Sequence, residues 1–331
     1  MEKYLGMPAI IGIGNALVDV INILEDDSLL GHFNLPKGSM TLVDADLSAL
    51  IMETTTGNKR EITTGGSAAN AIHALAALGA TCGYIGKIGD DVLGAAFQKE
   101  FNQKNIKTHL LLSKKETGRV MALVSRDSER TMATYLGAAS DLKAGELSAD
   151  MFEGFSYLFI EGYLVQDHKL IEMAIDLARS RNLIIAIDLS SYNVVEANLE
   201  FLKRIVAEKV DIVFANEEEA YAFTGKQPEE AVSELAGICN IAVVKTGKTG
   251  SIIQQGEEVY KQGIVPAHAV DTTGAGDAYA AGFLFGLSRG YPIHRCAEIA
   301  ALVSGKSVEV IGAKIPDSLW PGLLKLVNGD D

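Results

Sequence analysis

Cysteine, positive charge and long apolar runs are all scarce in this chain of 331 residues. Its three cysteines, Cys82, Cys239 and Cys296, lie far apart and form no CxxC pair. That usage argues against a disulfide framework and a zinc site, so we expect free thiols in a reducing compartment. No stretch reaches the ~18 apolar residues that a membrane span requires. The first residues also lack the basic segment of a signal peptide, so a cytoplasmic location is expected.

The shortage of positive charge bears on the partners of the protein. Lysine and arginine number 29 against 43 aspartates and glutamates, which gives a formal net charge of −14. A chain this acidic repels phosphate backbones and anionic lipid surfaces, so we expect neither nucleic acid nor membrane as a partner. A small anionic ligand is not excluded, because a local nest of backbone amides can hold a phosphate on an acidic protein.

Short β-branched runs alternate with longer helical stretches, a rhythm that predicts parallel βαβ units. The predicted strands are residues 9–13, 81–88, 157–160, 183–187, 211–214 and 241–244. The predicted helices are residues 68–78, 91–104, 168–181, 217–223, 228–239, 275–289 and 294–307. With no repeat, low-complexity tract or linker, the pattern indicates one α/β domain over residues 1–331, doubly wound around a mostly parallel sheet flanked by helices.

Two segments break this rhythm. Residues 18–42 and 108–135 contain short strand-like runs with no intervening helix, and antiparallel strands appended to a parallel sheet usually form a flap or small second sheet. Beside a phosphate site such a sheet can act as a lid that excludes water, and we place this lid at about residues 16–43 and 107–137. The alternative is an edge of the main sheet without a function.

Two glycine-rich segments fail as nucleotide motifs. The first, beginning at Gly12, follows a strand like a dinucleotide fingerprint, but Leu17 stands where close helix packing requires Gly or Ala. The second, Gly247-Lys248-Thr249, resembles the end of a P-loop, but Ala242 stands where that motif needs its first glycine. A nicotinamide dehydrogenase and a P-loop enzyme are therefore both disfavoured.

A third glycine-rich segment, residues 270–279, leads directly into an apolar helix. The amides of Gly274, Ala275 and Gly276 would lie at the helix N-terminus, where unpaired N–H groups and the helix dipole favour an anion. Asp277 falls in the first turn, and we expect it to stay ionised because the helix terminus favours its charged form. It could accept the proton of an attacking hydroxyl while the amides hold a phosphoryl group. The alternative is a capping aspartate after a tight glycine turn.

A second constellation would suit the hydroxyls of a sugar. Gly65 and Gly66 open a helix that carries Asn70 in its first turn, so a backbone amide and a side-chain amide can face one ligand. Asn15 and Asp19 follow the first strand, near the strand ends at which open α/β sheets bind ligands. Each of these residues alone could equally be a cap or turn residue.

These residues resemble a known family. Gly65-Gly66 with Asn70 early in the chain, and residues 271–277 late, resemble the two signatures of the ribokinase-type (PfkB) carbohydrate and nucleoside kinases. The likeness runs over nearly the whole chain, with both signatures in the expected order. It implies a ribokinase-like fold, ATP and Mg²⁺, and an in-line phosphoryl transfer. It also implies that Asp277 is the catalytic base and that Gly274, Ala275 and Gly276 form the anion hole.

The same resemblance assigns the nucleotide side. Asn216 and Glu219 match an N-x-x-E element, with Glu219 acting on Mg²⁺ through water; the alternative is an N-capped acidic helix start. Further residues implied to bind the nucleotide are Thr246, Gly247, Gly250, Thr272 and Thr273. Some members also bind a monovalent cation where Asp271, Thr273 and Gly312 stand, but the match here is loose.

Within the family the chain is most similar to the adenosine kinase branch. Residues 14–20 and 35–40 carry that likeness, and Arg130 matches an arginine that contacts phosphate, which a guanidinium can do through two hydrogen bonds. Alternatively, Arg130 is a solvated residue beside Glu129.

No clear aromatic pair for stacking a base is present, so the acceptor class stays open. Adenosine leads, and a sugar of the ribose, fructose or 2-keto-3-deoxygluconate type is the alternative. A catalytically silent nucleotide- or sugar-binding protein is more remote. The exposed edge of the predicted lid leaves both a monomer and a homodimer open.

Overall fold

The computed structural model describes residues 8–57, 60–127 and 129–329. Within these ranges the strands form one nine-stranded and one five-stranded sheet. The strands are β1 Ile10–Ile13, β2 Leu17–Ile23, β3 Met40–Leu42, β4 Arg60–Gly65, β5 Cys82–Gly89, β6 Lys107–Ser113, β7 Gly118–Val124, β8 Arg130–Tyr135, β9 Tyr157–Glu161, β10 Ile184–Asp188, β11 Ile212–Asn216, β12 Ile241–Lys245, β13 Ser251–Gln255 and β14 Glu258–Gln262. The helices are α1 Ser28–His32, α2 Ala45–Thr54, α3 Ser67–Ala77, α4 Val92–Gln103, α5 His168–Ser180, α6 Tyr192–Ala197, α7 Leu199–Lys209, α8 Glu217–Thr224, α9 Pro228–Ala236, α10 Ala275–Ser288, α11 Ile293–Ser307 and α12 Trp320–Asn328.

The large sheet has the strand order β14-β13-β12-β11-β10-β9-β1-β5-β6. From β6 to β12 every neighbouring pair is parallel, and β13 and β14 extend the sheet as antiparallel strands. The prediction of a mostly parallel, doubly wound sheet is confirmed.

Both faces of the large sheet are buried. Along β11, Ile212 and Phe214 pack into one apolar core, whereas Val213 and Ala215 pack into another on the opposite face. Side chains alternate between the faces of a strand, so a strand covered on both sides must be apolar at every position. This explains why the strands could be recognised in the sequence as unbroken apolar runs.

The small sheet has the order β3-β8-β7-β2-β4. Its composition corrects the predicted lid segments in two ways. Residues 107–113 form β6 at the edge of the large sheet, so the second contribution to the small sheet begins only at Gly118. The first segment contains a short helix, α1, and the sheet gains a strand, β4, that the sequence patterns did not reveal.

Other elements were missed because their patterns are weak. Helices α6 and α7 follow one another without a clear break, and β13 and β14 form a hairpin at the sheet edge. Cys82, Cys239 and Cys296 are free thiols, as expected. In the described part of the chain, no helix combines the length and apolar character needed to cross a bilayer.

Candidate active site

Four neighbouring parallel strands of the large sheet each end in a polar residue. Glu161, Asp188, Asn216 and Lys245 are the last residues of β9, β10, β11 and β12, and Glu161 pairs with Asp188 as Asn216 does with Lys245. We call these four residues the cavity floor. A cavity of about 1460 Å³ opens above them, between the large sheet, the small sheet and the start of α10.

Helix α10 points its N-terminus into this cavity. The helix begins at Ala275, after Gly274 in the left-handed conformation with φ of 74°. A side chain at Gly274 would also collide with Ala313, whose Cβ would lie 2.5 Å away. Glycine is therefore required here for both reasons. The Ala275 amide donates to the Thr272 carbonyl at 3.2 Å, whereas the Gly276 amide has no backbone partner among the described residues and could bind an anion.

Asp277 lies in the first turn of α10 and lines the cavity. Its carboxylate accepts hydrogen bonds from Ser67 Oγ at 2.7 Å and from Asn70 Nδ2 at 2.9 Å. Burial raises the pKa of Asp277 to about 6, although both hydrogen bonds act to lower it. Desolvation therefore dominates the pKa of this carboxyl. Asp277 is still mostly ionised at neutral pH, and a pKa nearer the working pH suits a general base.

Lys245 and Asp188 form a buried ion pair in the cavity floor, with Nζ 2.8 Å from Oδ2. Burial alone would lower the pKa of Lys245, but Asp188, Glu219 and Asp277 surround it with negative charge and raise the pKa above its ordinary value. A methyl carbon built on Gly276 would lie 3.1 Å from Lys245 Nζ. The open space beside the Gly276 backbone is thus bounded by a permanent positive charge.

Asp19, Gly65 and Gly66 meet closely on the small-sheet side. A Cβ at Gly65 would lie 2.3 Å from Asp19 Oδ1, and one at Gly66 would lie 2.1 Å from the Asn15 carbonyl oxygen. Gly66 also has φ of 98° and precedes α3 directly. Glycines are needed at both positions because the chain segments touch. Burial raises the pKa of Asp19 to about 6, partly offset by the positive charges of Lys314 and Arg130.

Asn15 is held in place by a buried glutamate. Asn15 Nδ2 donates to Glu161 Oε1 at 2.5 Å, and the other oxygen of Glu161 accepts from the Ala68 backbone amide at 3.1 Å. Burial raises the pKa of Glu161 to about 7. With its amide donating to Glu161, Asn15 can offer its side-chain oxygen to a ligand hydroxyl.

One face of the small sheet forms an apolar wall along the cavity. Cross-strand pairs such as Met40 with Met132 place these side chains on the same face, and Asp19 lies on that face beside Val120. The residues that we call the apolar wall are Leu17, Met40, Leu42, Val120, Met132 and Leu136. Met40 and Leu42 are 45% and 58% exposed, which leaves apolar surface for a ligand to cover.

Asn216 and Glu219 cap the start of α8 reciprocally. The Asn216 side chain accepts from the Glu219 amide, and the Glu219 carboxylate accepts from both the backbone and the side chain of Asn216, each at 2.8 Å. The alternative of an N-capped helix start is therefore what the geometry shows. Both residues nevertheless line the cavity, and burial, followed by the charge of Asp188, raises the pKa of Glu219.

The residues predicted for the nucleotide form one end of the cavity. Thr246 does not line the cavity. Its backbone amide donates to the Gly250 carbonyl at 2.8 Å and closes the turn that contains Gly247. Gly250, with φ of 106°, touches the Gln262 carbonyl so closely that no Cβ fits. Apolar residues flank this end and would suit a flat base: Ile264, Val265, Ala267, Ala301 and Val308.

These residues can be tested for their fit to Mg²⁺ and a nucleotide. The amides of α10 and the ammonium of Lys245 offer the donors that a phosphate needs. In the described part of the chain no three acidic, His or Cys side chains form a metal cluster. A carboxylate that contacts the ion through water, with the remaining ligands from phosphate and solvent, is the usual arrangement for Mg²⁺, and Glu219 could serve in this way.

Arg130, which the resemblance implies to contact phosphate, forms an ion pair in this structure. Its guanidinium lies 2.7 Å from Asp271 Oδ2, and it does not line the cavity, so the predicted phosphate contact stays a prediction. Asp271 also accepts from the amides of Thr273 and Gly312, at 3.0 and 2.7 Å. Since protein donors surround this carboxylate, the loop before α10 is tied to the loop at residue 312 and to the small sheet.

The cavity brings most of the predicted residues together. Those that line it are Asn15, Asp19, Gly66, Asn70, Asn216, Glu219, Gly247, Gly250, Thr272, Thr273, Ala275, Gly276 and Asp277. The described residues Gly65, Arg130, Thr246 and Gly274 lie outside the lining and shape it from behind.

Sequence reasoning missed four residues of the site. They are Ser67, Glu161, Asp188 and Lys245. The last three had a usable signal, because each is the polar residue that ends an apolar parallel strand. Such positions meet at the carboxyl edge of the sheet, where α/β proteins bind ligands. Ser67 directly follows the Gly65-Gly66 pair but gave no signal of its own.

The mostly parallel sheet, the second small sheet and the open helix terminus between them define the ribokinase-like α/β fold. The sequence model of the family described as "pfkB family carbohydrate kinase" matches residues 37–319. The chain belongs to this family, whose members are phosphotransferases with hydroxyl acceptors.

Solved structures and curated proteins agree with this assignment. The adenosine kinase of Sinorhizobium meliloti is 32% identical, with a TM-score of 0.87 over 98% of this chain and 100% of that chain. A probable sugar kinase of Rhizobium etli is 29% identical, with a TM-score of 0.88 over 98% and 99%. The 5-dehydro-2-deoxygluconokinase of Geobacillus kaustophilus is 28% identical over 255 residues, which are 72% of this chain and 76% of that protein.

Proposed function

We propose that the protein is an ATP-dependent kinase that phosphorylates the primary hydroxyl of a nucleoside, with adenosine as the first candidate. One observation carries the proposal. The Asp277 carboxylate faces the cavity beside the open amides of α10, and Ser67 and Asn70 hold it in place. A base and an anion site that adjoin in this way serve phosphoryl transfer, whereas a binding protein would need only the anion site.

In the proposed reaction the acceptor hydroxyl lies between Asp19 and Asp277. Asp277 takes the hydroxyl proton as the oxygen bonds to the γ-phosphorus, and the bond from that phosphorus to the β-phosphate oxygen breaks to release ADP. The anion hole at Gly274, Ala275 and Gly276 binds the oxygens of the transferred group, with the Gly276 amide as the donor that no described backbone group engages. ATP is the phosphoryl donor; Mg²⁺ bound with it would neutralise part of the phosphate charge, and Glu219 would help to hold the ion through water. Asn15, Asp19, Gly66 and Asn70 hold the other hydroxyls of the acceptor.

The proposed base also sets a pH dependence. Asp277 must be ionised to accept a proton, and its pKa is raised to about 6. We therefore expect kcat/KM to be level above about pH 7 and to fall about tenfold per pH unit well below pH 6. A rate profile from pH 5 to 8 with saturating MgATP measures this. A profile that stays flat down to pH 5 would remove Asp277 as the base.

The apolar wall favours a nucleoside over a bare sugar. A purine could cover the exposed parts of Met40 and Leu42, which a small sugar held at Asp19 would not reach. The Sinorhizobium relative, at 32% identity, bears the name adenosine kinase.

A sugar kinase is the second candidate. Among the described residues of the small sheet, no aromatic side chain lines the cavity, so the stacking partner usual for a base is not supplied there. The Geobacillus relative bears the name of a sugar-acid kinase, and sugars of the ribose, fructose or 2-keto-3-deoxygluconate type are the compounds to compare.

A coupled ADP-release assay tests the proposal. The panel is adenosine, inosine, ribose, fructose and 2-keto-3-deoxygluconate, each with ATP, with and without Mg²⁺. We expect Mg²⁺-dependent turnover with adenosine, and D277N purified in parallel controls for contaminating kinases. Turnover with a sugar alone would replace the nucleoside by the second candidate. ATP binding without turnover on any acceptor would leave the non-catalytic alternative in place.

A further inference from the structure

Lys245 is a charged residue of the cavity floor that the proposed reaction has not yet used. Its side chain is 15% exposed and that of its partner Asp188 is 5% exposed. It is the last residue of β12 and stands two residues before Gly247. A buried lysine is costly unless it is paired, so the placement calls for an explanation beyond surface charge.

The position of Lys245 relative to α10 supplies that explanation. Apart from the helix itself, only the Lys245 side chain among the described residues lies within 4 Å of a Cβ built on Gly276, with Nζ at 3.1 Å. The ammonium therefore lies beside the first turn of α10. An anion bound by the Gly276 amide would have this ammonium within reach.

The acidic neighbours of Lys245 keep it protonated for this task. Negative charge from Asp188, Glu219 and Asp277 outweighs the effect of burial, and the pKa of Lys245 rises. These three carboxylates leave the surroundings of Lys245 with an excess of negative charge, which repels a phosphate. A fixed ammonium at this point offsets that repulsion where the phosphate would lie.

Arg130, the residue that the sequence suggested for this role, is committed elsewhere. Its guanidinium pairs with Asp271, and it lies outside the described lining of the cavity. Lys245 lines the cavity and adjoins the anion site.

We propose that Lys245 is a catalytic residue which donates from Nζ to an oxygen of the phosphoryl group in transfer, beside the amide of Gly276. This role rests on the proposed kinase function, in which Lys245 supplies the positive charge of the anion hole. In the free protein Lys245 pairs with Asp188, and Asp188 keeps it in place and protonated. Such a donor acts mainly on the transition state, in which negative charge on the phosphoryl oxygens faces the fixed ammonium.

The variant Lys245→Met removes the donor with little change in size. We expect kcat to fall about 10²–10³-fold, the loss typical of one oxyanion-hole donor, while KM for ATP and for the acceptor changes less than about threefold. Lys87→Met is the matched control. Lys87 also belongs to a buried ion pair, with Glu146 at 2.6 Å and a side-chain exposure of 9%, but it lies outside the cavity lining.

The double variant Lys245→Met with Asp188→Asn guards against a folding defect, because it leaves no unpaired buried charge. If Lys245 only neutralises Asp188, the double variant recovers kcat to within about tenfold of the wild type, and the proposal is overturned. If Lys245 contacts the phosphoryl group, the double variant stays as slow as the single one.

Binding of a transition-state mimic separates the two roles independently of turnover. Aluminium fluoride should tighten the binding of MgADP and acceptor to the wild type, and we expect this gain to drop at least about 100-fold in Lys245→Met. An equal gain in both proteins contradicts the inference. Silence of the wild type on every acceptor would instead refute the proposed function, so the two failures are distinguishable.

Discussion

The cavity floor and the apolar wall line the same cavity but differ in polarity and in how their side chains are held. The floor consists of polar residues that are held by hydrogen bonds and ion pairs, as Lys245 is by Asp188 and Glu161 is by Asn15. The wall consists of apolar side chains, and two of them, Met40 and Leu42, are partly exposed to the cavity.

This difference separates the two requirements of the proposed reaction. A polar group in a low-dielectric site has one favourable arrangement, and any change leaves a partner unpaired at a high cost. An apolar side chain on the wall contributes contact area alone, so its replacement changes affinity gradually. We therefore expect changes in the floor and the α10 terminus to lower kcat, and changes in the wall to alter KM and acceptor preference.

The largest effect is expected at Asp277. The variant D277N keeps the shape of the side chain but removes the proton acceptor, and we expect kcat to fall about 10²–10⁴-fold. ATP binding should change little, because the α10 amides remain. ADP release gives the rate, and calorimetric titration gives the affinity for ATP. Turnover near the wild-type rate would show that Asp277 is not the catalytic base.

The next effect is expected at Gly276. A methyl group in G276A would fill the space between the helix terminus and Lys245 Nζ, and a phosphoryl group displaced by about 1 Å can cost about 10²-fold in kcat. G322A is the control. Gly322 also lies in the first turn of a helix, α12, but a Cβ there meets no atom within 4 Å. If G276A and G322A have the same kcat, the space beside Gly276 does not hold the phosphoryl group.

On the wall we expect a moderate effect that appears in KM. In M40S/L42S the apolar contact with a base is lost, and we expect KM for adenosine to rise about tenfold with kcat within about twofold. L50S is the control, since Leu50 is 49% exposed on α2 and does not line the cavity. A kcat loss larger than the KM change would contradict the assignment of acceptor binding to the wall and of catalysis to the floor. An unchanged KM for a sugar acceptor would support it.

The smallest expected effect concerns stability. The raised pKa of Asp277 means that the folded protein binds protons more tightly there than the unfolded chain does. Its contribution to stability is therefore present at low pH and is lost as the pH rises through about 6. D277N lacks this penalty, so it should melt at a higher temperature than the wild type at pH 8, with the difference vanishing near pH 4. The exposed variant D46N should show no such trend, and an equal response would contradict the assigned pKa.

The start of α10 and the cavity floor also differed in how far they could be predicted from the sequence. The start of α10 was predicted because glycines and Asp277 are adjacent in the chain and obey local rules of helix termini. Glu161, Asp188 and Lys245 each end an apolar strand, but they were missed because the order in which the strands become neighbours, and hence which strand ends meet, is not encoded locally.

Local rules also misled in places. The helix terminus favours the charged form of Asp277, but burial by residues distant in the sequence raises its pKa. Arg130 lies next to Thr131 and Met132 as the resemblance required, yet its partner Asp271 lies far away in the chain and could not be inferred. The boundary of the small sheet failed at residues 107–113 because a strand at the edge of a parallel sheet has the same pattern as a strand in a separate one.

The order of strands in the large sheet has a kinetic consequence. The first strand, β1, pairs on one side with β5 and on the other with β9. The pairing of Ile10 with Tyr157 therefore cannot form until β9 is available. Contacts of such wide sequence separation form slowly, because the entropy of closing a long loop is lost before they are gained. On a ribosome, nearly half of the chain has to emerge before Asn15 can meet Glu161. The cavity floor is therefore completed late, and catalytic competence would mark the end of folding rather than its onset.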